Sequence, residues 1–413
     1  MPHTLASLRT DYDALRARGL SLDLTRGKPS AAQLDLSNGL LDLDLGNDFR
    51  DGAGTDLRNY GGTDGVRELR EIFGELLGIP ADQLLAGNNA SLQTMHDVLV
   101  HALLHGVPGG EGPWAGQDVA FLCPSPGYDR HFAITESFGI RMIAVPYLAD
   151  GALDLAAIET HLADPSVRGM WLVPRYANPT GSSIDEATAR ALAAMPAAAG
   201  DFRVWYDNAY AVHHLSDDEP ASIDILGLAA EAGNPDRFLV FASTSKITQA
   251  GAGVSFFASS PANLDWYRRH SSVQTIGPDK INQWRHARFF GDAEGVRRHM
   301  RAHRALLEPK FALVDRVLGE TLTGHGTWTK PTGGYFVTLS APEGTASRAV
   351  QLAKEAGVAV TPAGAAFPYG EDPRDSVIRI APSMPPEADL EQAIRALALC
   401  VLLAEAELAD TSH

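Results

Sequence analysis

The sequence predicts an α/β fold, in which a mostly parallel sheet is covered by helices and joined to a smaller α+β domain. Between residues 118 and 258, short apolar segments alternate with amphipathic ones, as in strand–helix–strand units. From about residue 261 the segments become longer and more helical. We therefore predict a large domain over residues 46–290 and a small domain formed by both chain ends, 1–45 and 291–413.

The N-terminal part of the chain predicts helices separated by glycine-containing turns. Apolar residues at helical spacing predict a helix over residues 4–18. Gly27 follows a short extended piece and suits close approach of the backbone to a ligand, although an ordinary turn explains it equally well. A further helix is expected over residues 66–77, with Asp64 as its N-cap.

The helix that starts near Ser91 is a candidate anion site. Small residues at a helix N-terminus leave backbone N–H groups free to face an anion, and the helix dipole favours negative charge there. Ala90, Ser91 and Leu92 would then contact a phosphate group. Many helices begin in this way without binding anything, so the segment is a weak signal by itself.

The central region predicts a sheet whose strands end next to polar residues. The predicted strands are 119–122, 141–145, 169–173, 203–206, 238–241 and 253–258, and the helices between them lie around 130–138, 154–162, 185–194 and 221–232. In such sheets ligands bind beyond the carboxyl ends of the strands. Tyr128, Asn178, Asp207, Tyr210 and Lys246 each follow one of these strands, and we expect them to lie close together.

The C-terminal region predicts an α+β arrangement. Helices are expected near 261–272, 278–290, 293–319, 346–356 and 386–408, and strands near 333–339, 358–361 and 377–382. Residues 22–27 have no evident place in the large sheet, so we expect them to pack here. Arg379 interrupts an apolar strand, where it either binds a carboxylate or points to solvent from an open sheet face.

Lys246 is the central candidate, because it lies in a run of small and hydroxyl residues from Ser243 to Gly253. A desolvated lysine becomes a nucleophile toward carbonyls, and Ser243 and Ser245 could hold an anion beside it. Pyridoxal 5'-phosphate (PLP) requires this combination for its Schiff base. A solvated loop lysine is the plain alternative. The serine nucleophile motif S-x-x-K is also present, but its S-D-N and K-T-G partners are not.

Composition limits the function classes. The chain has 413 residues and a formal net charge of −17, which disfavours nucleic-acid binding. Its two cysteines, Cys123 and Cys400, suggest neither a metal cluster nor a disulfide framework. The start of the sequence lacks an apolar signal core, and no stretch is long enough to span a membrane. We therefore expect a cytoplasmic protein without a metal.

The polar residues at the strand ends fit the chemistry of PLP. The Asp207 carboxylate could pair with the pyridinium nitrogen and keep the ring an electron sink. Asn178 and Tyr210 could donate hydrogen bonds to the ring oxygen, and Tyr128 could stack on the ring. Arg379 could orient a substrate through its α-carboxylate. Lys246, once released by the substrate, could move the proton at Cα.

An ordered set of motifs carries a family resemblance: Asn178-Pro-Thr-Gly181, Asp207-x-x-Tyr210, Ser243-Thr-Ser-Lys246 and the late Arg379. The set resembles class I aminotransferases of PLP fold type I, and in particular the bacterial aspartate aminotransferases of subgroup Ic. The resemblance implies aspartate:2-oxoglutarate transamination by a ping-pong mechanism. It also implies a homodimer in which Tyr60 reaches the phosphate of the neighbouring subunit, and a contact between the Gly27 backbone and substrate.

The sequence departs from many relatives at the position eight residues after Lys246, where they have a phosphate-binding arginine and this chain has Val254. Phosphate binding must then depend on Ser243, Ser245 and the helix start at Ala90 and Ser91, and the sequence leaves open whether another cation, which it does not identify, takes part. The cation for a distal substrate carboxylate stays open among Arg26, Lys28, Arg130, Lys280 and Arg285.

Other functions remain open from the sequence alone. A PLP aminotransferase for apolar or aromatic amino acids, or a β-eliminating lyase, would keep the same cofactor residues. A regulator of the MocR type, whose effector domain shares this fold, would not be an enzyme. Such regulators carry an N-terminal DNA-binding domain, whereas the aminotransferase-like region of this chain begins by about residue 22.

Overall fold

The computed structural model describes residues 4–45 and 49–411. Its strands are β1 Leu22–Asp23, β2 Leu84–Ala86, β3 Ala120–Ser125, β4 Arg141–Pro146, β5 Val167–Leu172, β6 Arg203–Asp207, β7 Phe238–Ser243, β8 Ser255–Ala258, β9 Thr327–Trp328, β10 Val337–Ser340, β11 Val358–Ala359 and β12 Val377–Ile380. Its α-helices are α1 Leu5–Ala17, α2 Ala31–Asp35, α3 Arg67–Leu77, α4 Ser91–His105, α5 Asp129–Ser137, α6 Leu155–Leu162, α7 Glu186–Ala194, α8 Ile225–Glu231, α9 Pro261–Ser271, α10 Lys280–Phe290, α11 Ala293–Thr321, α12 Ala346–Glu355 and α13 Glu387–Thr411. The predicted elements are present, with ends that differ by a few residues.

The main sheet has seven strands in the order β2-β8-β7-β6-β5-β3-β4. Strand β8 runs antiparallel to both of its neighbours, and every other neighbouring pair is parallel. The predicted α/β fold class is therefore confirmed. The sequence analysis missed β2, because a three-residue apolar segment before Gly87 has too little alternation to be distinguished from a loop.

Both faces of the main sheet are buried apart from the edge strand β4, where Arg141, Ala144 and Pro146 are exposed, as the near-continuous apolar inner strands require. Alternate residues of one strand enter different apolar clusters: Val204 and Tyr206 pack with Leu69 of α3, whereas Trp205 packs with Leu99 of α4. Helices on each side thus hold the strand ends in fixed positions, and the loops that follow those ends emerge at one edge.

Two smaller sheets join the chain ends. Strands β1 and β11 pair in parallel, with Leu22 opposite Val358, as expected for a segment with no place in the main sheet. Strands β12, β10 and β9 form an antiparallel sheet. The strand predicted to start at residue 333 begins at Val337, because Gly334 has φ of 82° and turns the chain before it. The predicted domain boundaries stay a prediction.

The predicted N-cap of α3 is wrong. The helix starts at Arg67, and its N-cap position is Val66, whose side chain makes no capping hydrogen bond. The Asp64 carboxylate instead accepts hydrogen bonds from Arg268 Nε at 2.8 Å and Arg268 Nη2 at 3.1 Å. A guanidinium from a distant helix outcompetes the local backbone, because it adds charge to the hydrogen bonds.

Among residues 4–45 and 49–411, the helices are each too short or too polar to cross a bilayer. The cytoplasmic location stays a prediction.

We predict that Gly169→Ala destabilises the fold. A methyl group at this buried strand position would overlap the ring of Phe121 on the adjacent strand, at a cost of about 1–3 kcal/mol in unfolding free energy. Thermal unfolding followed by circular dichroism measures the change. Gly200→Ala is the control, because its nearest neighbour would be the Gly109 carbonyl oxygen at an ordinary 3.5 Å. Equal melting temperatures for both variants would contradict the prediction.

Candidate active site

A cavity of about 410 Å³ lies at the carboxyl ends of the main-sheet strands. Segments that follow β3, β5, β6 and β7 contribute to it, and so do segments from both smaller sheets. Eight residues selected from the sequence line this cavity: Arg26, Gly27, Tyr128, Arg130, Asn178, Tyr210, Lys246 and Arg379. Of the five strand-end residues predicted to lie close together, Tyr128, Asn178, Tyr210 and Lys246 line the cavity, whereas Asp207 is buried at the end of β6 and is not part of the lining.

Lys246 lies in a tight turn just after β7. The turn is closed by backbone hydrogen bonds from Ile247 and Thr248 to the Thr244 carbonyl oxygen at 2.9 and 2.8 Å. The Lys246 ammonium nitrogen is 4.8 Å from the centre of the Tyr210 ring, and the side chain is half-buried. The backbone of the turn is thus rigid, while the amine reaches into the cavity.

The rings of Tyr335 and His213 are both buried and contact the carbonyl oxygen of Lys246. Tyr335 Oη donates a hydrogen bond to it, and His213 Nε2 also lies 3.3 Å from it. Burial, followed by the charge of Lys246, lowers the pKa of His213 to about 3, so this imidazole is neutral. The sequence analysis missed both residues, since their contacts depend on the packing of the small sheet.

Asp207 ends β6 with one carboxylate oxygen engaged and the other free. Its Oδ2 is 3.0 Å from His131 Nε2, and the His131 ring stacks on Trp171 with centroids 4.2 Å apart. Its Oδ1 is buried and has no hydrogen-bond partner among the described residues. A buried unpartnered carboxylate oxygen is costly, so this atom fits an N–H donor supplied by a ligand.

Tyr128 and Tyr210 are both held in the protonated form. Burial raises the pKa of Tyr128 to about 12. Burial, followed by the charge of Asp207, raises the pKa of Tyr210 further. Each phenol therefore carries its proton at neutral pH and can donate a hydrogen bond into the cavity.

The structure brings the two predicted anion-binding segments together. A Cβ atom added to Gly253 would lie 3.2 Å from both Asn89 Oδ1 and Ser245 Oγ, so the loop before α4 touches the loop that carries Lys246. Ser245 Oγ is buried without a hydrogen-bond partner among the described residues, and α4 starts after Ala90 with no side-chain cap. These unfilled donors fit a phosphate group.

The other members of this predicted phosphate site lie around the same loops. Ser243 pairs with Ser255 across β7 and β8, and Ser255 Oγ accepts a hydrogen bond from Thr94 of α4. Ser91 begins α4 and is buried. The Leu92 side chain packs on an apolar cluster, so only its backbone could contact a ligand.

The structure separates the five candidate cations for a distal carboxylate. Arg26 and Arg130 line the cavity, and neither side chain has an ion-pair or hydrogen-bond partner among the described residues. Lys280 instead donates to the backbone carbonyl oxygens of Asn59 and Gly61, at 2.8 and 2.6 Å. Lys28 and Arg285 are not among the residues that line the cavity.

Lys280 thereby fixes the loop of Tyr60, whose side chain is 81% exposed. Tyr60 does not line the cavity of its own chain. Val254, which stands where many relatives have an arginine, is buried in the core and offers no charge. The nearest downstream arginine, Arg268, is engaged by Asp64 and Asp265.

Arg379 is buried rather than solvent-facing, with a side chain that is 9% exposed. Its guanidinium donates to Asn178 Oδ1 at 3.2 Å and to Thr361 Oγ1 at 3.1 Å, and it forms an ion pair with Asp129 at 3.1 Å. The solvent alternative that the strand pattern allowed is wrong. The sequence analysis missed Asp129, because nothing in the strand pattern links it to a residue 250 positions away.

Comparisons with known proteins match this chain to aminotransferases over nearly its whole length. The sequence model of the family described as aspartate amino-transferase matches residues 1–413. A protein of Mycolicibacterium smegmatis named as an aminotransferase is 58% identical over 403 residues, covering 96% of this chain and 94% of its own. The aspartate aminotransferase of Corynebacterium glutamicum is 51% identical over 403 residues, covering 97% and 93%.

Solved structures of aminotransferases share the fold of this chain. A crystal structure of an aspartate transaminase from Corynebacterium glutamicum superimposes with a TM-score of 0.96 at 51% identity, covering 98% of this chain and 96% of that one. The α-aminoadipate aminotransferase LysN of Thermus thermophilus, complexed with N-(5'-phosphopyridoxyl)-L-leucine, has a TM-score of 0.71 at 21% identity and covers 95% of each chain. At that identity the second match shows a shared fold.

We predict that His131→Phe destabilises the protein. The substitution keeps a ring against Trp171 and removes the nitrogen that contacts Asp207, so the buried carboxylate loses its partner. We expect a loss of about 2–4 kcal/mol in unfolding free energy, measured by urea denaturation. His96→Phe is the matched control, because the contact of His96 with Asp97 is longer, at 3.4 Å, and solvent-exposed. Unchanged stability of the His131 variant would show that the Asp207 carboxylate does not need this partner.

Proposed function

The chain belongs to the aspartate amino-transferase family, and from that membership we propose that it exchanges amino groups between aspartate and 2-oxoglutarate, using PLP bound at Lys246. It is an aminotransferase, so the regulator alternative is set aside. The 51% identity to a protein named aspartate aminotransferase supports aspartate as the donor. Two half-reactions in a ping-pong sequence would complete the exchange.

The observation that carries the cofactor proposal is the unpartnered Oδ1 of Asp207. Asp207 lies three residues before Tyr210, which lines the cavity with Lys246, and its other oxygen is already engaged by His131. A protonated ring nitrogen is the donor that would satisfy this oxygen. His131 would keep the carboxylate oriented toward that nitrogen.

When bound, PLP supplies an aldehyde that takes up the amino group and a ring that withdraws electrons from the substrate Cα. The Lys246 amine would hold the cofactor covalently, and after release it would move the proton at Cα. Asn178 Oδ1 already accepts a hydrogen bond from Arg379, so its amide nitrogen remains to donate to the ring oxygen. Tyr210 would supply the second donor, and Tyr128 would pack beside the cofactor ring.

The phosphate of the cofactor would be held mainly by neutral donors. Ser243, Ser245 and the backbone N–H groups at Ala90 and Ser91 lie on the two loops that meet at Gly253. The free Oγ of Ser245 supports this assignment. A helix N-terminus supplements these donors with its dipole.

Substrate binding would use the cations of the cavity. Arg379 would bind the α-carboxylate, and the Gly27 backbone would contact the substrate beside it. Arg26 and Arg130 would bind the distal carboxylate, because both line the cavity without a protein partner among the described residues. In a chain with a net charge of −17, such local cations are what attracts a dicarboxylate.

We further propose a homodimer with shared active sites. The loop of Tyr60 is anchored by Lys280, yet its ring projects into solvent with 81% exposure. An exposed aromatic ring on a fixed loop suits a contact with another copy of the chain. In the dimer, this ring would reach the phosphate site of the partner.

A spectrum of the protein incubated with PLP tests the proposed cofactor and donor. We expect a visible absorbance band that is lost on adding aspartate, because the amino group is transferred to the cofactor. Lys246→Ala should not form the parental band, whereas Lys330→Ala should, since that lysine is exposed and outside the cavity. A parental band in the Lys246 variant would contradict the assignment of this lysine.

Steady-state kinetics with two donors tests the distal carboxylate site. We predict that Arg130→Gln and Arg26→Gln each raise KM for aspartate by about tenfold, because a charge-assisted hydrogen bond is lost. KM for alanine should not rise, as alanine has no distal carboxylate. Arg141→Gln, on the surface beside Asp118, is the control. Equal effects on both donors would exclude a role in specificity, and activity with apolar donors alone would favour that alternative substrate class.

A further inference from the structure

Arg379 already has a carboxylate partner in the structure. Its Nη1 atom is 3.1 Å from Asp129 Oδ1 and also donates to Asn178. Its Nη2 atom donates to Thr361 Oγ1 and to the Thr25 carbonyl oxygen, and its Nε atom donates to Thr361 Oγ1 as well. The guanidinium face also lies 5.1 Å from the centre of the Phe336 ring. A substrate carboxylate therefore meets an arginine whose donors are all engaged.

Two carboxylates cannot share this arginine without cost. A substrate carboxylate bound to Arg379 Nη1 would lie close to the Asp129 carboxylate, and like charges at that distance repel strongly in a partly buried site. A bidentate contact also needs donors that Asp129 and Thr361 now occupy. One of the two carboxylates must give way.

We propose that Asp129 is the resting counter-ion of Arg379 and that the substrate carboxylate replaces it on binding. The inference rests on the proposed function, in which Arg379 binds the α-carboxylate. Arg379 is then paired in both states. This matters because a buried guanidinium without a counter-ion is strongly destabilising.

The surroundings of Asp129 allow its carboxylate to move away from Arg379. Its side chain is 33% exposed, in contrast to 9% for Arg379, so the carboxylate can turn toward water. Asp129 is the first residue of α5, where the helix dipole stabilises a negative charge. Arg130 follows it, exposed and without an ion-pair partner among the described residues. Release of Asp129 from Arg379 therefore does not leave an isolated buried charge.

Exchange of this kind makes Asp129 a determinant of specificity. A ligand with a carboxylate can displace Asp129, because it replaces one ion pair with another. An amine without a carboxylate cannot displace Asp129, so the Arg379–Asp129 ion pair stays intact when such an amine binds. Asp129 would thus weaken the binding of each carboxylate ligand, because that ligand must displace Asp129 from Arg379.

Asp129→Asn tests the exchange, because asparagine keeps the shape and a hydrogen-bond acceptor but removes the competing charge. We expect the PLP-loaded variant to bind maleate, a dicarboxylate that cannot react, about fivefold more tightly in isothermal titration calorimetry. KM for aspartate should fall by a similar factor. Asp118→Asn is the matched control, since Asp118 contacts Arg141 at 3.5 Å on the surface, and it should bind maleate like the parent.

Whether maleate binds more tightly or more weakly to Asp129→Asn distinguishes the proposed exchange from a structural role of Asp129. Weaker or unchanged maleate binding in Asp129→Asn would overturn the proposal, because Asp129 would then support the arginine or be irrelevant to it. Arg379→Gln separates this outcome from failure of the proposed function. If Arg379→Gln loses maleate binding while Asp129→Asn does not gain it, the exchange alone is wrong. If Arg379→Gln binds maleate normally, the assignment of Arg379 as the carboxylate site is wrong as well.

Discussion

The hydrogen bonds of Arg379 connect segments of the chain that lie far apart in the sequence. The arginine projects from the antiparallel sheet, Thr25 and Thr361 follow the strands of the two-stranded sheet, and Asn178 and Asp129 follow strands of the main sheet. One guanidinium thus joins all three sheets at the cavity. It can do so because its fork of donors serves several acceptors at once, which an ammonium group cannot match.

Packing around Arg379 gives a different reason for a glycine at position 27 from the one expected from the sequence. The expected reason was close approach of the backbone to a ligand, and Gly27 does line the cavity. A methyl group at this position, however, would overlap the ring of Phe336, the same ring that lies against Arg379. The glycine is therefore required by the protein itself, since it lets the N-terminal segment lie on an aromatic ring beside the arginine.

Much of the fold and part of the site follow from the sequence, because both depend on strands. Apolar periodicity located the main-sheet strands apart from β2, and parallel topology then required the residues after their carboxyl ends to meet at one edge. His131 and Asp129 could not be found in this way. Their partners, Asp207 and Arg379, lie 76 and 250 positions away, and only the three-dimensional packing brings them together. The predicted N-cap role of Asp64 was wrong for the same reason, because the distant Arg268 binds its carboxylate.

The distribution of charge in the cavity links the cofactor and substrate proposals. Where the family resemblance leads one to expect a phosphate-binding arginine, this chain buries Val254, and in the proposed function the hydroxyl and backbone donors around Ser245 would bind that anion. The cations that line the cavity, Arg26, Arg130, Lys246 and Arg379, are then not needed by the phosphate. In the proposed function Lys246 would serve the cofactor, which leaves three arginines in a cavity where Asp129 is the one carboxylate among the described lining residues. That excess of positive charge suits a substrate with two carboxylates, and Asp129 is the protein group that such a substrate would have to displace.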